Sequence, residues 1–348
     1  MSVFADLFRS EKKAESIILV DVGSNSVAGA YAHYKKGQPP ALLYTRRLPI
    51  EVREGELRDK AMLRALKILG DTLVREGAPV LMRATGTGSA DTILISIDAP
   101  WQKTSVRTER FEQKTPFVFS KNFLAAAIEK SNVVTPGKLI VDDSIIGTTL
   151  NGYATKNPYG KKVLRASAIV LTSLIDERVA RSIVSLLRGV YHTKHILPIA
   201  GSSLRYQAMH NTFPHEENAL ILDATGPLSS IALIRKGFLV SLIEVPNANS
   251  TESVGQNIGS ELAEIAKHYP LPRTIFLLAR EADITSLRQT LEETGCRKLW
   301  LSENPPKIVP VLPSNILGLI QQTHVGSPDL HLLFMALFWL NRSLEEGV

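Results

Sequence analysis

Two aspartates stand at the ends of apolar runs, each before a small, hydroxyl-rich turn. Ser16–Val22 (SIILVDV) carries Asp21 into Gly23, Ser24, Asn25 and Ser26. Ala219–Leu222 leads to Asp223, followed by Thr225, Gly226 and Ser229. Glycine lets a backbone approach a ligand closely. Hydroxyls and successive backbone N–H groups hold phosphate oxygens, and a carboxylate holds Mg²⁺ through water. Two such turns make a clamp for a nucleotide, with Asp21 and Asp223 positioning the metal's water. The same residues also cap ordinary turns, and spacing alone leaves both readings open.

Other reactive side chains carry less. His192 and His195 are close in sequence, but no nearby cysteine completes a zinc set. The single cysteine, Cys296, follows Gly295 at an expected helix end and reads as an inert thiol. Gly86–Ser89 (GTGS) lacks the Lys-Ser/Thr ending of a P-loop. Asp142 and Asp143 read as a turn rather than an acid–base pair.

The elements that must position the turns are legible as periodicity. The chain has 348 residues, 44% hydrophobic and 21% charged, which is globular and argues against disorder, collagen and a multi-span membrane protein. One cysteine rules out an internal disulfide framework and suits a reducing compartment. A net charge of +6 is too small to choose a partner, and no RNA-binding motif, zinc-finger spacing or basic run points to nucleic acid. No run reaches the ~18 apolar residues of a membrane span. Leu330–Leu340 (LHLLFMALFWL) is apolar on all sides and reads as a buried helix. Val3, Phe4, Leu7 and Phe8 share one helical face ahead of Arg9, Lys12 and Lys13. That stretch either lies on a membrane surface or is a frayed terminus.

Strands are expected at 16–22, 27–33, 42–50, 80–83, 92–97, 106–111, 139–142, 148–154, 163–171, 194–198, 219–222, 231–234, 238–244, 274–278 and 299–301. Helices are expected at 56–76, ending at Gly77, and from the Ser120 cap to Lys130. Further helices are expected at 177–191, 202–210, 253–268, 284–294 and at the C-terminus, with a proline-rich loop at 304–314. The unit strand, aspartate, polar turn, strand, Lys-Gly turn, strand occurs twice, about 200 residues apart.

The duplicated hairpins resemble the two phosphate loops of the actin-like ATPase fold shared by actin and sugar kinases. DVGSNS at Asp21–Ser26 resembles the first loop, and DATGPLSS at Asp223–Ser230 a degraded second loop. Within that fold the order of motifs is most similar to the bacterial FtsA/PilM group. MSVFADLF resembles a PilM start, and NGYATKNPYGKKVL at Asn151–Leu164 a stretch of FtsA. Ile275–Glu293 resembles the adenosine-motif strand and helix.

The resemblance implies an α/β chain with a duplicated actin-like (ribonuclease H-like) ATPase fold, an inserted α+β SHS2-like subdomain and a reduced fourth subdomain. The divisions are a tail at 1–15, the first half at 16–83 and 167–215, and the insertion at 84–166. A reduced second half at 216–325 follows, and a returning helix at 326–348. If nucleotide is bound, Asp21, Gly23, Ser24, Asn25, Ser26, Asp223, Gly226 and Ser229 would hold ATP and Mg²⁺.

Four departures from the family pattern weaken that site. Ser26 and Ala28 stand where a loop lysine is common. Thr225 and Pro227 replace glycines, and Pro227 removes a donor. Ala279 and Arg280 replace the paired glycines of the adenosine motif. About 50 residues separate the second loop from the adenosine-like strand, short for a full fourth subdomain.

The implied protein is a cytoplasmic scaffold at the inner face of the membrane, with ATP hydrolysis weak or lost. It would organise a division ring or a type IV pilus platform. Its expected partners are envelope-assembly proteins, a membrane surface through Phe4, Leu7, Phe8, Lys12 and Lys13, and other copies of itself, with no nucleic acid. The alternative is a phosphatase on the same fold, because DVGSNS also resembles the first loop of exopolyphosphatase/pppGpp phosphatases.

Overall fold

The computed structural model describes residues 14–131, 135–155, 157–193, 195–226, 228–246, 251–293, 296–300, 306–322 and 328–345. Phe4, Leu7, Phe8, Lys12 and Lys13, together with Pro227 and the expected helix stop at Gly295, lie outside them.

The elements, in chain order, are β1 (Ala14–Val22), β2 (Ser26–Lys35), β3 (Ala41–Pro49), α1 (Arg58–Thr72), α2 (Ala78–Thr85) and β4 (Thr92–Ile97). Next come β5 (Gln102–Phe119), α3 (Lys121–Ser131), β6 (Lys138–Leu150), β7 (Tyr153–Ala154), β8 (Lys161–Asp176), α4 (Glu177–Tyr191), β9 (His195–Ala200) and α5 (Gly201–Thr212). The second hairpin is β10 (Ala219–Asp223), β11 (Leu228–Arg235) and β12 (Phe238–Pro246), followed by α6 (Thr251–His268), β13 (Thr274–Leu278) and α7 (Glu281–Glu293). The chain closes with β14 (Lys307–Pro310), α8 (Pro313–Ile316), β15 (Gln321–Gln322) and α9 (Leu330–Glu345).

The chain divides into two compact units. The first comprises the chain up to Ser96, Ser182–Pro198 and the chain from Pro313 on. Its sheet runs β15-β3-β2-β1-β4-β9. Ile17–Val20, Val22 and Val27 are fully buried or nearly so, which is why these alternating and continuous apolar runs form central strands. α9 packs on β1 and β2. Leu332–Trp339 are buried, Tyr34 donates to the Ala336 carbonyl at 3.1 Å, and Trp339 Nε1 donates to Glu15 at 3.3 Å. The all-round apolar stretch is therefore a core helix, and no described helix is long and apolar enough to cross a membrane.

The second unit comprises Ile97–Arg181 and Ile199–Leu312. Its larger sheet runs β12-β11-β10-β13-β14. This matches the order β3-β2-β1-β4-β9 strand for strand, and the repeat extends to detail. In both hairpins the first two pairings are antiparallel, and the register slips once between the second and third strands. The slip falls at Tyr31/Ala32 and Leu233/Ile234, each beginning ten residues beyond the loop aspartate. The remaining sheet, β5-β8-β6-β7, carries α3 against a core of Phe119, Leu124, Ile128, Leu150, Val163 and Val170. Ser120 Oγ accepts from the Phe123 N–H at 3.1 Å, the expected cap.

Several expectations are corrected. Residues 80–83 are not a strand but lie in α2, which continues from α1 through a π-helical turn, Leu73–Gly77. Gly77 does not stop the helix. A Cβ there would stand 2.7 Å from the Tyr31 ring, so this glycine permits close packing. Residues 139–142 and 148–150 belong to one strand, β6. Of the expected strand at 299–301, Leu299 instead ends a 3₁₀ turn over Cys296–Leu299, and Leu301 lies outside the described residues. The proline-rich stretch holds β14, an edge strand that tolerates Pro310 because it pairs only with β13. β4 lies in the six-stranded sheet, and the four-stranded sheet spans Gln102–Asp176.

Candidate functional site

β1 ends at the first loop because Asp21 pairs with Ala28 and Val22 with Val27, leaving Gly23–Asn25 to turn the chain. The Gly23 N–H donates to Ser26 O at 3.0 Å, and the Ile50 N–H to Asn25 O at 2.8 Å. Five candidate residues, Asp21, Gly23, Ser24, Asn25 and Ser26, thus share one tight loop. Asp21 is fully buried.

That buried carboxylate is held by a cation from β3. Arg47 Nη2 donates to Asp21 Oδ2 at 2.9 Å and Arg47 Nη1 to Ser26 Oγ at 2.7 Å. The other side of the guanidinium grips Asp329, with Nε at 2.6 Å and Nη2 at 3.0 Å. Asp329 in turn caps α9, accepting from the Leu332 N–H at 3.2 Å. His331 Nδ1 lies 3.2 Å from the same Asp21 oxygen. Burial opposes the charge on Arg47, but Asp21 and Asp329 outweigh it and raise its pKa further above the usual arginine value. A second arginine, Arg58 at the start of α1, donates to Ser24 O at 2.9 Å and to Asn25 Oδ1 at 2.5 Å.

The second loop repeats the device within its own unit. Asp223 ends β10, and its Oδ1 accepts from the Thr225 N–H at 3.0 Å and Thr225 Oγ1 at 2.5 Å. Its Oδ2 accepts from Arg205 Nε on α5. Arg205 also pairs with Asp98, Nη2 to Oδ1 at 2.9 Å. Gly201, one turn earlier, makes room: a Cβ there would fall 1.9 Å from Asp98 Oδ1. Ser229 is buried, and Gly226 has only the Leu228 carbonyl within reach of an added Cβ, at 3.7 Å.

One oxygen of each loop carboxylate is held by an arginine: Asp21 Oδ2 by Arg47 and Asp223 Oδ2 by Arg205. Asp21 Oδ1 is buried, and the His331 ring lies within reach of the same carboxylate, so these two side chains offer ligand atoms that could hold a metal ion. The loops as built hold Arg–Asp pairs, with a hydroxyl of Ser26 bound to the same arginine.

Sequence reasoning missed Arg47, Arg58, Arg205, Asp98, Asp329 and His331. One signal was available: Arg205 is a charged residue inside a helix whose other residues from Gly201 to Met209 are nearly all apolar or small and buried. Arg47 gave none, as one of two adjacent arginines at a strand end. At the adenosine-like position, β13 ends in Leu278, Ala279 is buried and Arg280 pairs with Asp283 at 2.6 Å.

No protein-family model matches the sequence, and no curated protein matches it. Solved structures do. The chain is similar to a structure described as a PilM-PilN type IV pilus biogenesis complex, at 12% identity and a TM-score of 0.55, over 93% of this chain and 98% of that one. It is also similar to a Bacteroides thetaiotaomicron protein of actin-like ATPase fold and unknown function, at 10% identity and a TM-score of 0.47, covering 95% and 98%. A weaker match is an Aquifex aeolicus PPX-GPPA enzyme, at 11% identity and a TM-score of 0.36, covering 76% and 67%. The first match shows a shared fold, that of a mixed α/β chain with several sheets, and the neighbours include proteins described as actin-like in fold.

Proposed function

We propose that this chain is a scaffold of FtsA/PilM type that organises an envelope machine through protein contacts, with ATP hydrolysis weak or lost. The observation that carries the second half is the Arg47–Asp21 pair. Magnesium-nucleotide binding through Asp21 Oδ2 would have to displace a guanidinium from a fully buried carboxylate. Leaving a buried charge unpaired costs several kcal/mol, which a weak phosphate loop does not recover. The pair Arg205–Asp223 opposes metal at the second loop in the same way. Thr225, Ala279 and Arg280 remove the close backbone approach that glycines would give.

The scaffold role is supported by the fold shared with PilM in a pilus biogenesis complex, which favours a pilus platform over a division ring. In this reading the SHS2-like module would be the sheet β5-β8-β6-β7 with α3. The stretch between β12 and β13 holds α6 as its one described element, consistent with a reduced fourth subdomain. The basic amphipathic stretch at 1–13 would place the protein on the inner face of the membrane, and self-association remains part of the proposal.

The test is phosphate release from ATP and from long-chain polyphosphate, each with Mg²⁺. The scaffold reading expects neither substrate to turn over above buffer. Turnover of polyphosphate that is lost in Asp21→Ala would replace it with the phosphatase reading. ATP turnover lost in the same variant would restore an ATPase.

A further inference from the structure

The four-stranded sheet of the second unit has two unlike ends. At one end an acid is taken up within the unit: Ser203 on α5 donates to Asp142 Oδ2 at 2.6 Å, and Gln207 Nε2 donates to the same oxygen at 3.1 Å. At the other end β5 finishes, β8 begins and the β6–β7 hairpin turns. Val118 pairs there with Lys162 and Phe119 with Lys161, and Leu150 pairs with both Ala166 and Tyr153. Residues 113–121 and 151–165 make up this end. They carry Lys114, Lys121, Lys156, Lys161, Lys162 and Arg165 and no aspartate or glutamate.

Arg165 is met by Glu112 at 2.7 Å, and Lys156 lies outside the described residues. Lys114, Lys121, Lys161 and Lys162 are exposed and make no ion pair among the described residues. Lys121 Nζ stands 5.5 Å from the Tyr159 ring centroid, and Lys161 Nζ donates to Thr155 Oγ1 at 3.4 Å. A ring and a hydroxyl, not carboxylates, take up these two cations. The cluster repels itself, and an anionic surface relieves that repulsion.

Apolar side chains stand among the lysines. Tyr153 is 79% exposed, and Val118, Tyr159 and Leu164 are exposed with it. The backbone beneath them is pinned. Asn151 turns the hairpin with φ 49° and Gly152 follows at 87°. Asn151 Oδ1 accepts from the N–H groups of Leu164 and Arg165 at 3.2 and 3.1 Å. The Gly160 N–H donates to Phe119 O at 2.9 Å, and Tyr159 stacks on Phe119 with centroids 6.1 Å apart. A tyrosine and aliphatic side chains standing out among lysines suit the interfacial layer of a bilayer. The amphipathic tyrosine ring sits at headgroup level, and lysine stems cross apolar surface to reach lipid phosphates. An acidic amphipathic helix would instead need a groove for its apolar stripe, whereas these residues stand on a hairpin and at strand ends.

We propose that this end of the four-stranded sheet docks on an anionic lipid surface. Tyr153 and Leu164 enter the headgroup layer, and Lys114, Lys121, Lys161 and Lys162 are set against lipid phosphates. The contact is separate from the basic stretch at 1–13 and from both phosphate loops, and it does not rest on the scaffold reading.

The test is flotation of the full chain with vesicles of phosphatidylcholine alone and of phosphatidylcholine mixed with phosphatidylglycerol. The parent is compared with Lys161→Glu/Lys162→Glu, with Tyr153→Ser and with a charge-matched control on α1, Lys60→Glu/Lys67→Glu. All these positions are exposed, and thermal melts confirm that each variant folds. The expected result is salt-sensitive capture by the phosphatidylglycerol vesicles alone. The partition coefficient falls about tenfold or more in Lys161→Glu/Lys162→Glu and about threefold in Tyr153→Ser, while the α1 control keeps most of its capture. Absence of capture overturns the proposal, as does capture that either the lysine variant or Tyr153→Ser leaves unchanged. An equal loss in the α1 control also overturns it, by reducing the effect to net charge. So does binding of a glutamate-rich peptide that is lost in Lys161→Glu/Lys162→Glu without vesicle capture, which would make this surface a protein contact.

Discussion

Arg47 reaches from β3 to Asp21 at the end of β1, 2.9 Å from guanidinium to a carboxylate that is itself fully buried. In the other unit Arg205 does the same for Asp223. A cation is present at each loop aspartate, but it is covalently part of the chain. The two loops therefore share one feature: each buried aspartate is paired with an arginine of its own unit.

Removing one partner of such a pair exposes its energetic role. Arg47→Ala is expected to destabilise the fold by about 3 kcal/mol, the low end for a broken buried pair because Arg47 is partly exposed. Asp21→Asn in the same chain is expected to recover part of that loss, since the uncompensated charge disappears. Urea denaturation of the two single variants and the double variant gives the coupling directly. Additive losses would show that the pair is not coupled.

Glu244 provides a pH dependence with a definite sign. Burial pushes its carboxyl above the usual value of 4.5, while hydrogen bonds from Gln102 and Ser202 pull the other way without overcoming it. The folded-state pKa therefore lies above the unfolded one, so its contribution to stability is full below the unfolded pKa. It is lost as pH rises through the folded value. Glu244→Gln keeps an acceptor for Gln102 Nε2, now 2.8 Å from Glu244 Oε1. The variant is expected to be more stable than the parent at pH 7 and equal to it at pH 4. Melting curves across that range that stay parallel for the two proteins would refute this.

Tyr191 ends α4 with its hydroxyl buried and without a hydrogen-bond partner among the described residues. Burial raises its pKa far above the usual tyrosine value, with Tyr31 and Asp71 adding to the shift. A buried, unmet hydroxyl costs about 1–3 kcal/mol of desolvation. Tyr191→Phe is expected to be neutral or stabilising by about 1 kcal/mol. Chemical denaturation showing a clear loss of stability would mean that the hydroxyl is engaged.

How much of this was legible follows from where each partner sits. The hairpins around Asp21 and Asp223 were readable, because apolar runs, Lys-Gly turns and an aspartate recur in one order. Gly77 and Val80–Arg83 were misread because a glycine that packs against a ring looks the same in sequence as one that stops a helix. Lys307–Pro310 was missed because its prolines mask a short edge strand.

The loop residues were legible as neighbours, but the side chains that pair with their aspartates were not. Asp329 and His331 lie 282 and 310 residues from Arg47 and Asp21 respectively, and Asp98 lies 107 from Arg205. No local spacing encodes such pairs, and only the folded sheets bring them together.

The most direct measurement is calorimetric titration of the full chain with ATP and ADP, with and without Mg²⁺, beside Asp21→Ala. The account predicts no saturable Mg²⁺-dependent heat up to millimolar nucleotide. Micromolar binding that requires Mg²⁺ and disappears in Asp21→Ala would contradict it and return the two loops to a working nucleotide clamp.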